Sequence, residues 1–297
     1  MPSLDHIVEA FKQLQDEICS SLEACDGKAK FEEDLWDRPG GGGGRTRLIR
    51  NGNVFEQGGV NFSHVHGELP PAAARQLKQD VGGHFDATGV SIVIHPRSPR
   101  VPIIHMNVRY FQMDNGKYWF GGGIDLTPIY VVEEDARFFH TNLKNVCDAH
   151  DPTYYPRFKK RCDEYFYIKH RSEMRGIGGV FFDHIADDDQ FSKQDVFDFT
   201  LGLGRTFAPT YTEIVNRRRD DAFTEAHKEW QRLRRGRYVE FNLVYDRGTR
   251  FGLETGGRTA SILMSLPPVA GWEYNHSPKV GSEEQKTLDF LQPQDWI

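Results

Sequence analysis

The sequence predicts an α+β fold built on a large, mostly antiparallel sheet, and three observations carry that reading. Apolar segments of strand length arrive in runs and helical segments in blocks, where βαβ units would alternate them. No dinucleotide fingerprint is present: in "GLGRTF" (202–207), Phe207 stands where the third glycine would be. Neither a repeat of solenoid period nor a clear linker divides the 297 residues, so the chain 1–297 is read as one domain.

The elements follow in order. After Ser3, apolar residues fall at Leu4, Ile7, Val8, Phe11, Leu14, Ile18 and Leu22, the spacing of an amphipathic helix. The run Gly40–Gly44 in "RPGGGGGRTR" reads as a flexible loop; it lacks the GK[ST] ending of a phosphate loop. Strands are expected at 90–95, 103–111, 118–120, 177–183, 239–245 and 259–266, from alternating or continuous apolar character. Helices are expected at 133–149, 153–170, about 193–207 and 211–234, the last opening on the capping-box pair Thr210 and Glu213.

Composition excludes several function classes. A net charge of −6 and a pI near 6.1 are unlike a nucleic-acid binder, and no apolar run reaches the ~18 residues of a membrane span. The four cysteines form no CxxC pair, which argues against structural zinc and thioredoxin-like chemistry and fits a reducing compartment. The first 27 residues hold six acids and no arginine, unlike a mitochondrial presequence, so a cytoplasmic protein is expected.

Candidate chemistry gathers around glycines. Gly58-Gly59, Gly121-Gly122-Gly123, Gly178-Gly179 and Gly256-Gly257 lie beside strands, where glycine marks either a bulge or a sheet face cleared for a broad ligand. Arg109, Arg171, Arg175, Arg247, Arg250 and Arg258 adjoin these positions, and guanidinium forks suit carboxylate or phosphate. Glu173 could instead brace Arg171 or Arg175. Asp125 and Asp246 stand at strand ends, able to cap a turn or to accept from, or deprotonate, an acidic N–H. Arg247 would keep Asp246 ionised, while desolvation would act the other way. In "SHVHGE" (63–68), His66 and Glu68 resemble two arms of an iron-binding facial triad.

Several long segments together resemble the oxygen-dependent coproporphyrinogen III oxidases: "GVSIVIHP" (89–96), "IIHMNVRYF" (103–111), "WFGGGIDLTP" (119–128), "HRSEMRGIGGVFFDH" (170–184), "EFNLVYDRGTRFGLETGGRTASILMSLPP" (240–268) and "GGVNFSHVHG" (58–67). The likeness covers nearly the whole chain in order. It departs where the family often has KxWC and this chain has Lys159-Lys160-Arg161-Cys162.

The resemblance implies a seven-stranded antiparallel sheet flanked by helices on both sides, and a homodimer with its contact around residues 238–273. It implies conversion of two propionates of coproporphyrinogen III to vinyl groups, consuming O2 and releasing CO2 and hydrogen peroxide. No cofactor beyond the co-substrate O2 is expected. By motif position, Ser91, Asn107, Val108, Arg109, Gly256, Gly257 and Arg258 would bind substrate. His105 would donate a proton, Asp246 and Arg247 would meet the pyrrole and propionates, and Asp125 is a further catalytic candidate. His95, His105, His140 and His170 match positions assigned a metal in bacterial relatives, while eukaryotic relatives are described as metal-free; no metal ligand is assigned from the sequence, and metal use at these four histidines is left open. An iron-dependent dioxygenase using residues 64–68 and a non-catalytic tetrapyrrole carrier are the competing readings.

Overall fold

A computed structural model describes residues 1–69, 74, 83–188, 190–254 and 256–297. Helix α1 (Leu4–Asp26) starts where the Ser3 side chain accepts the His6 amide and stops at Gly27, whose φ of +77° lies in the left-handed region. Seven strands then build the sheet: β1 (Glu32–Asp37), β2 (Gly42–Arg50), β3 (Phe55–Glu68), β4 (His84–Pro96), β5 (Ile103–Met113), β6 (Tyr118–Thr127) and, after an excursion, β9 (Gly179–Ile185). They lie side by side in the order β1-β2-β3-β4-β5-β6-β9, every pair antiparallel. The excursion holds α2 (Glu133–Asp148), α3 (Tyr154–Tyr165) and a small hairpin of β7 (Tyr167–Ile168) and β8 (Glu173–Met174). The chain continues through α4 (Lys193–Arg218), α5 (Glu225–Val244), α6 (Arg247–Glu254), α7 (Thr259–Leu263) and α8 (Glu283–Phe290).

Period-two alternation gives the sheet two unlike faces. On β5, Ile104, Met106, Val108 and Tyr110 are fully buried in the main core, where they meet Phe11 and Leu14 of α1 and Phe197 and Phe207 of α4. The alternate residues His105, Asn107 and Arg109 point to the opposite face. There, Trp230 and Tyr238 of α5 cover Val93 and Ile103, and Met264 just after α7 lies over Gly59. Helices therefore flank both faces, as expected.

Five expectations are corrected. Residues 239–245 are the end of α5, where Arg234, Arg235, Tyr238, Phe241 and Asn242 make a buried stripe of helical period. Residues 259–266 form α7 and the turn after it. The helices expected at 193–207 and 211–234 divide differently: α4 runs unbroken through Pro209, with buried Thr210 inside it, and the capping boxes sit at Ser192 and Thr224. The helix expected at 153–170 ends at Tyr165, and most of the 40–44 glycine run belongs to β2. Residue 161, where the family motif is broken, is exposed, whereas Lys159 and Cys162 are buried. All four cysteines are free thiols, with Cys19, Cys147 and Cys162 buried.

One buried carboxylate ties α1 to the sheet. Asp26 accepts backbone N–H groups from Lys28 and Ala29 beyond the helix, and from Asn53, Val54 and Phe55 at the β2–β3 turn. Burial alone would raise its pKa, but these amides hold it below the ordinary carboxylate value. Asp26→Asn is expected to cost about 3 kcal/mol, since buried amides lose an acceptor at roughly 1–3 kcal/mol each. Because the folded pKa is depressed, this stabilisation is present above the ordinary Asp pKa and is lost as pH falls through the folded value. Urea titrations at neutral and acid pH check this: the gap between wild type and variant should close on acidification.

Candidate active site

Strand register sets the candidate residues in rows on the face opposite the main core. One row runs Val93, His105, Asp125, Gly179 across β4, β5, β6 and β9. The next runs Asn61, Ser91, Asn107, Gly123, Phe181, and a third Ser63, Gly89, Arg109, Gly121. Ser91, His105, Asn107, Arg109 and Asp125 thus share one surface. Val108 does not; its side chain is fully buried in the core behind, so only its main chain lies near the site.

The centre is a chain of charge. His105 Nδ1 lies 2.8 Å from Asp125 Oδ1, and Arg175 Nη2 spans both Asp125 oxygens at 2.9 and 2.8 Å. Asp125 and Arg175 are buried; the His105 side chain keeps 23 % of its surface exposed. Burial is the largest single influence and pushes the Asp125 carboxyl upward, but Arg175 and His105 together hold it below the ordinary value. An ionised Asp125 fixes the proton on Nδ1 and leaves His105 Nε2 as the atom able to take or give one.

Asp246 comes from the opposite layer, in the turn between α5 and α6. Tyr165 donates its hydroxyl to Oδ1 at 2.8 Å, and the Thr249 amide and hydroxyl donate to Oδ2 at 2.7 and 2.8 Å. Burial opposes ionisation, yet these donors and the nearby His105 keep the carboxyl below its usual range. Arg247 is exposed, lies over the Tyr165 ring and donates its amide to the Tyr165 hydroxyl. Tyr165 escaped the sequence reading because a helical tyrosine beside Phe166 reads as core.

The segment 256–258 lies before α7, over the other end of the sheet. Gly256 has φ +71°, and Gly257 would meet the Gly252 carbonyl if it carried a Cβ. Arg258 pairs with Asp34 of β1 at 2.6 Å, near the Trp36 ring. Hydrogen bonds from Asn61 to the Ser261 carbonyl and from Gln57 to the Leu266 carbonyl anchor this layer to the sheet.

The glycine pairs answer different needs. Gly58 and Gly122 face the core against Ile94 and Phe182, Met264 occupies the space over Gly59, and the Gly178 φ of +77° makes a turn. Gly121 and Gly123 lie on the candidate face itself, Gly121 beneath the Arg109 and Asp183 side chains and Gly123 against Phe181. The charge cluster 170–175 braces α5 instead of itself: Arg171 and His170 bind Glu240, and Glu173 binds Arg234.

The four histidines do not converge. His95 donates Nε2–H to the Ser265 carbonyl, His140 pairs with Tyr155 and the Ile177 carbonyl, and His170 with Tyr245 and Glu240. Burial pushes His95 and His140 down to about 3. Among the described residues no group of three or more His, Cys, Asp or Glu side chains is placed to hold a metal ion, the 64–68 segment included.

The family model for coproporphyrinogen III oxidase matches residues 6–296. The chain belongs to the coproporphyrinogen III oxidase family. It is similar to "Coproporphyrinogen-III oxidase 1, chloroplastic" of Arabidopsis thaliana, at 52 % identity over 95 % of this chain and 76 % of that protein. Two proteins named "Oxygen-dependent coproporphyrinogen-III oxidase, chloroplastic" are comparably similar. The one from Glycine max is 52 % identical over 96 % of this chain and 77 % of its own length; the one from Nicotiana tabacum is 50 % identical over 96 % and 75 %. As a coproporphyrinogen III oxidase family member the chain is an oxidoreductase, and no helix among its described residues is long and apolar enough to cross a membrane.

Proposed function

We propose that the chain catalyses the O2-dependent oxidative decarboxylation of two propionates of coproporphyrinogen III, giving protoporphyrinogen IX in haem biosynthesis. Each step would convert one propionate and one O2 to a vinyl group, CO2 and hydrogen peroxide. The two electrons come from the propionate's broken C–H and C–carboxylate bonds, and the electron-rich pyrrole relays them to O2 and ends at its starting oxidation level. No other cofactor is needed for that balance. The observation that carries the reading is the pairing of an ionised Asp246 in one layer with the His105–Asp125–Arg175 chain in the other. A porphyrinogen brings pyrrole N–H donors and carboxylates to such a site together. Asp246, with its pKa depressed, serves as an acceptor that polarises a pyrrole N–H, a role that does not require it to keep the proton. His105 moves a proton at Nε2, and Arg109, Arg247 and Arg258 receive carboxylates around Ser91 and Asn107. Orientation and electrostatics are the protein's share of the work.

The deciding experiment incubates chelator-treated protein with coproporphyrinogen III, with and without air. Protoporphyrinogen should form only in air and at undiminished rate after chelation. Loss on chelation favours the dioxygenase reading, and tight binding without product favours a carrier. Arg258→Ala is expected to raise KM roughly tenfold, about 1.4 kcal/mol, the low end for a charge-assisted bond because Asp34 already engages the guanidinium. An unchanged KM removes Arg258 from the substrate.

A homodimer with its contact around 238–273 belongs to the same proposal. Leu243, Val244, Leu253, Val269 and Trp272 are large, exposed and apolar within that stretch, which supports a covered surface. The free thiols support a reducing compartment, and cytoplasmic residence within that reading is tested by fractionation, the plant relatives being named chloroplastic.

A further inference from the structure

Arg109 does not wait unpaired for a substrate. Its Nη1 donates to Asn107 Oδ1 at 2.7 Å, and its Nη2 lies 2.9 Å from Asp183 Oδ1. Asp183 sits on β9, one strand beyond β6, so the pair crosses over β6 at Gly121. A Cβ there would stand 2.7 Å from Asp183 Oδ1 and 2.8 Å from Arg109 Nε. The sequence reading took this glycine as space for a ligand; the space is filled by the ion pair.

The placement of Asp183 is built into the strand. Register passes from Gly122 opposite Phe182 to Phe120 opposite Ile185, so Asp183 and His184 together face Gly121 as a bulge. His184 takes a φ of +56°, which a non-glycine residue adopts only when its surroundings hold it there. Its ring stacks on Trp119 at 4.7 Å, and its amide donates to Asp183 Oδ1 at 3.0 Å. The carboxylate is thereby aimed at Arg109. Burial opposes its charge, but Arg109 and His184 keep its pKa below the ordinary value. The pair is still open to solvent, with 35 % of the Arg109 side chain and 21 % of Asp183 exposed.

We propose that Asp183 is the resident counter-ion of Arg109, a selectivity residue that competes with a substrate carboxylate for the guanidinium and re-pairs it when that carboxylate is absent. The inference rests on the functional reading above. In that reaction a propionate carboxylate leaves as CO2, and the vinyl group that remains cannot pair with an arginine. A half-buried guanidinium left alone beside a vinyl group would be penalised, and it would retain whichever carboxylated species came next. Asp183 removes that penalty and weakens the grip on carboxylates in general, so molecules that have lost two of them are released against a smaller difference.

The test is calorimetry under argon, where coproporphyrinogen III binds without turnover, with protoporphyrinogen IX as the ligand two carboxylates poorer. Asp183→Asn keeps shape and hydrogen-bond acceptor while removing charge. It is expected to tighten coproporphyrinogen III by roughly five- to tenfold, as removal of a charged competitor for the guanidinium does, and protoporphyrinogen IX by less. On an Arg109→Gln background the same change should have no effect. Gly121→Ala, which wedges the pair apart while leaving both charges, should act in the same direction and decides the matter should Asp183→Asn fail to fold. Unchanged or weakened coproporphyrinogen III binding, or an equal effect on the Arg109→Gln background, overturns the inference and reduces Asp183 to a brace. A wild-type chain that binds neither ligand overturns the functional reading, and the inference with it, in a separate arm.

Discussion

Arg175→Met should destabilise the protein by roughly 3–5 kcal/mol, the cost of stranding one member of a buried ion pair. Arg175 is 3 % exposed, grips both oxygens of Asp125 and donates Nη1 to Asn242 at 2.8 Å. Its guanidinium lies over the rings of Phe166, Tyr238 and Phe241, 4.1 to 4.8 Å from their centroids. Without it Asp125 keeps only His105, and desolvation then governs its pKa, which rises. The pH dependence follows from the sign of that shift. In the wild type a depressed Asp125 pKa stabilises the fold above the ordinary Asp value, and the stabilisation disappears as pH falls through the folded one. In Arg175→Met the folded pKa is raised, so mild acid, which protonates Asp125, should restore part of the loss. Denaturant titrations at pH 7 and pH 5 read both effects. Adding Asp125→Leu should recover stability at pH 7, because the double variant buries no charge. A loss below about 1 kcal/mol would mean water already reaches the pair.

The second large effect is on rate. His105→Phe should lower kcat by roughly 10²–10⁴, the usual contribution of a positioned acid or base, with KM and stability little changed. Its ring packs edge-on to Phe166 at 5.9 Å, so phenylalanine can fill the place while offering no nitrogen. Asp125→Asn should fall between, since an amide still occupies the site but no longer fixes the proton on Nδ1. A single-turnover measurement at saturating coproporphyrinogen III separates chemistry from binding. A His105→Phe enzyme with wild-type kcat would move the proton transfer to another residue.

Legibility in the sequence tracked how each residue is buried. β4, β5 and β6 are rich in β-branched and aromatic residues, and the sequence placed β5 within two positions but found only the second half of β4 and the first residues of β6. β1, reading "EEDLWD", is an edge strand whose charges obscure alternation, and β2 opens in glycines that look like a loop. The misread 239–245 has a more instructive cause. The stripe of α5 that faces the sheet includes Gln231, Arg234, Arg235 and Asn242, all buried, so a search for apolar residues at helical spacing passes over it. Site residues on exposed loops or strand ends were recoverable as residue types. His105, Asn107 and Arg109 share a face by their spacing of two, a relation the motif already contained. Asp183 and Tyr165 acquire meaning only through register and through a helix packed from another layer, neither of which is local in sequence. Arg175 was noticed as one of six arginines, but nothing near it announced Asp125, fifty residues earlier.

The free thiols bear on survival in use. The proposed reaction, releasing hydrogen peroxide at each step, would expose its own catalyst to an oxidant that attacks thiolates far faster than thiols. Burial pushes Cys19 and Cys147 up to about 12, lifts Cys162 well above the ordinary thiol range and raises Cys25 as well. At neutral pH all four remain protonated, and three are shut away from solvent. The same packing that shapes the core therefore leaves its sulfur atoms poor targets for sulfenic acid formation, so turnover-dependent inactivation, if it accumulates, should fall first on groups other than cysteine.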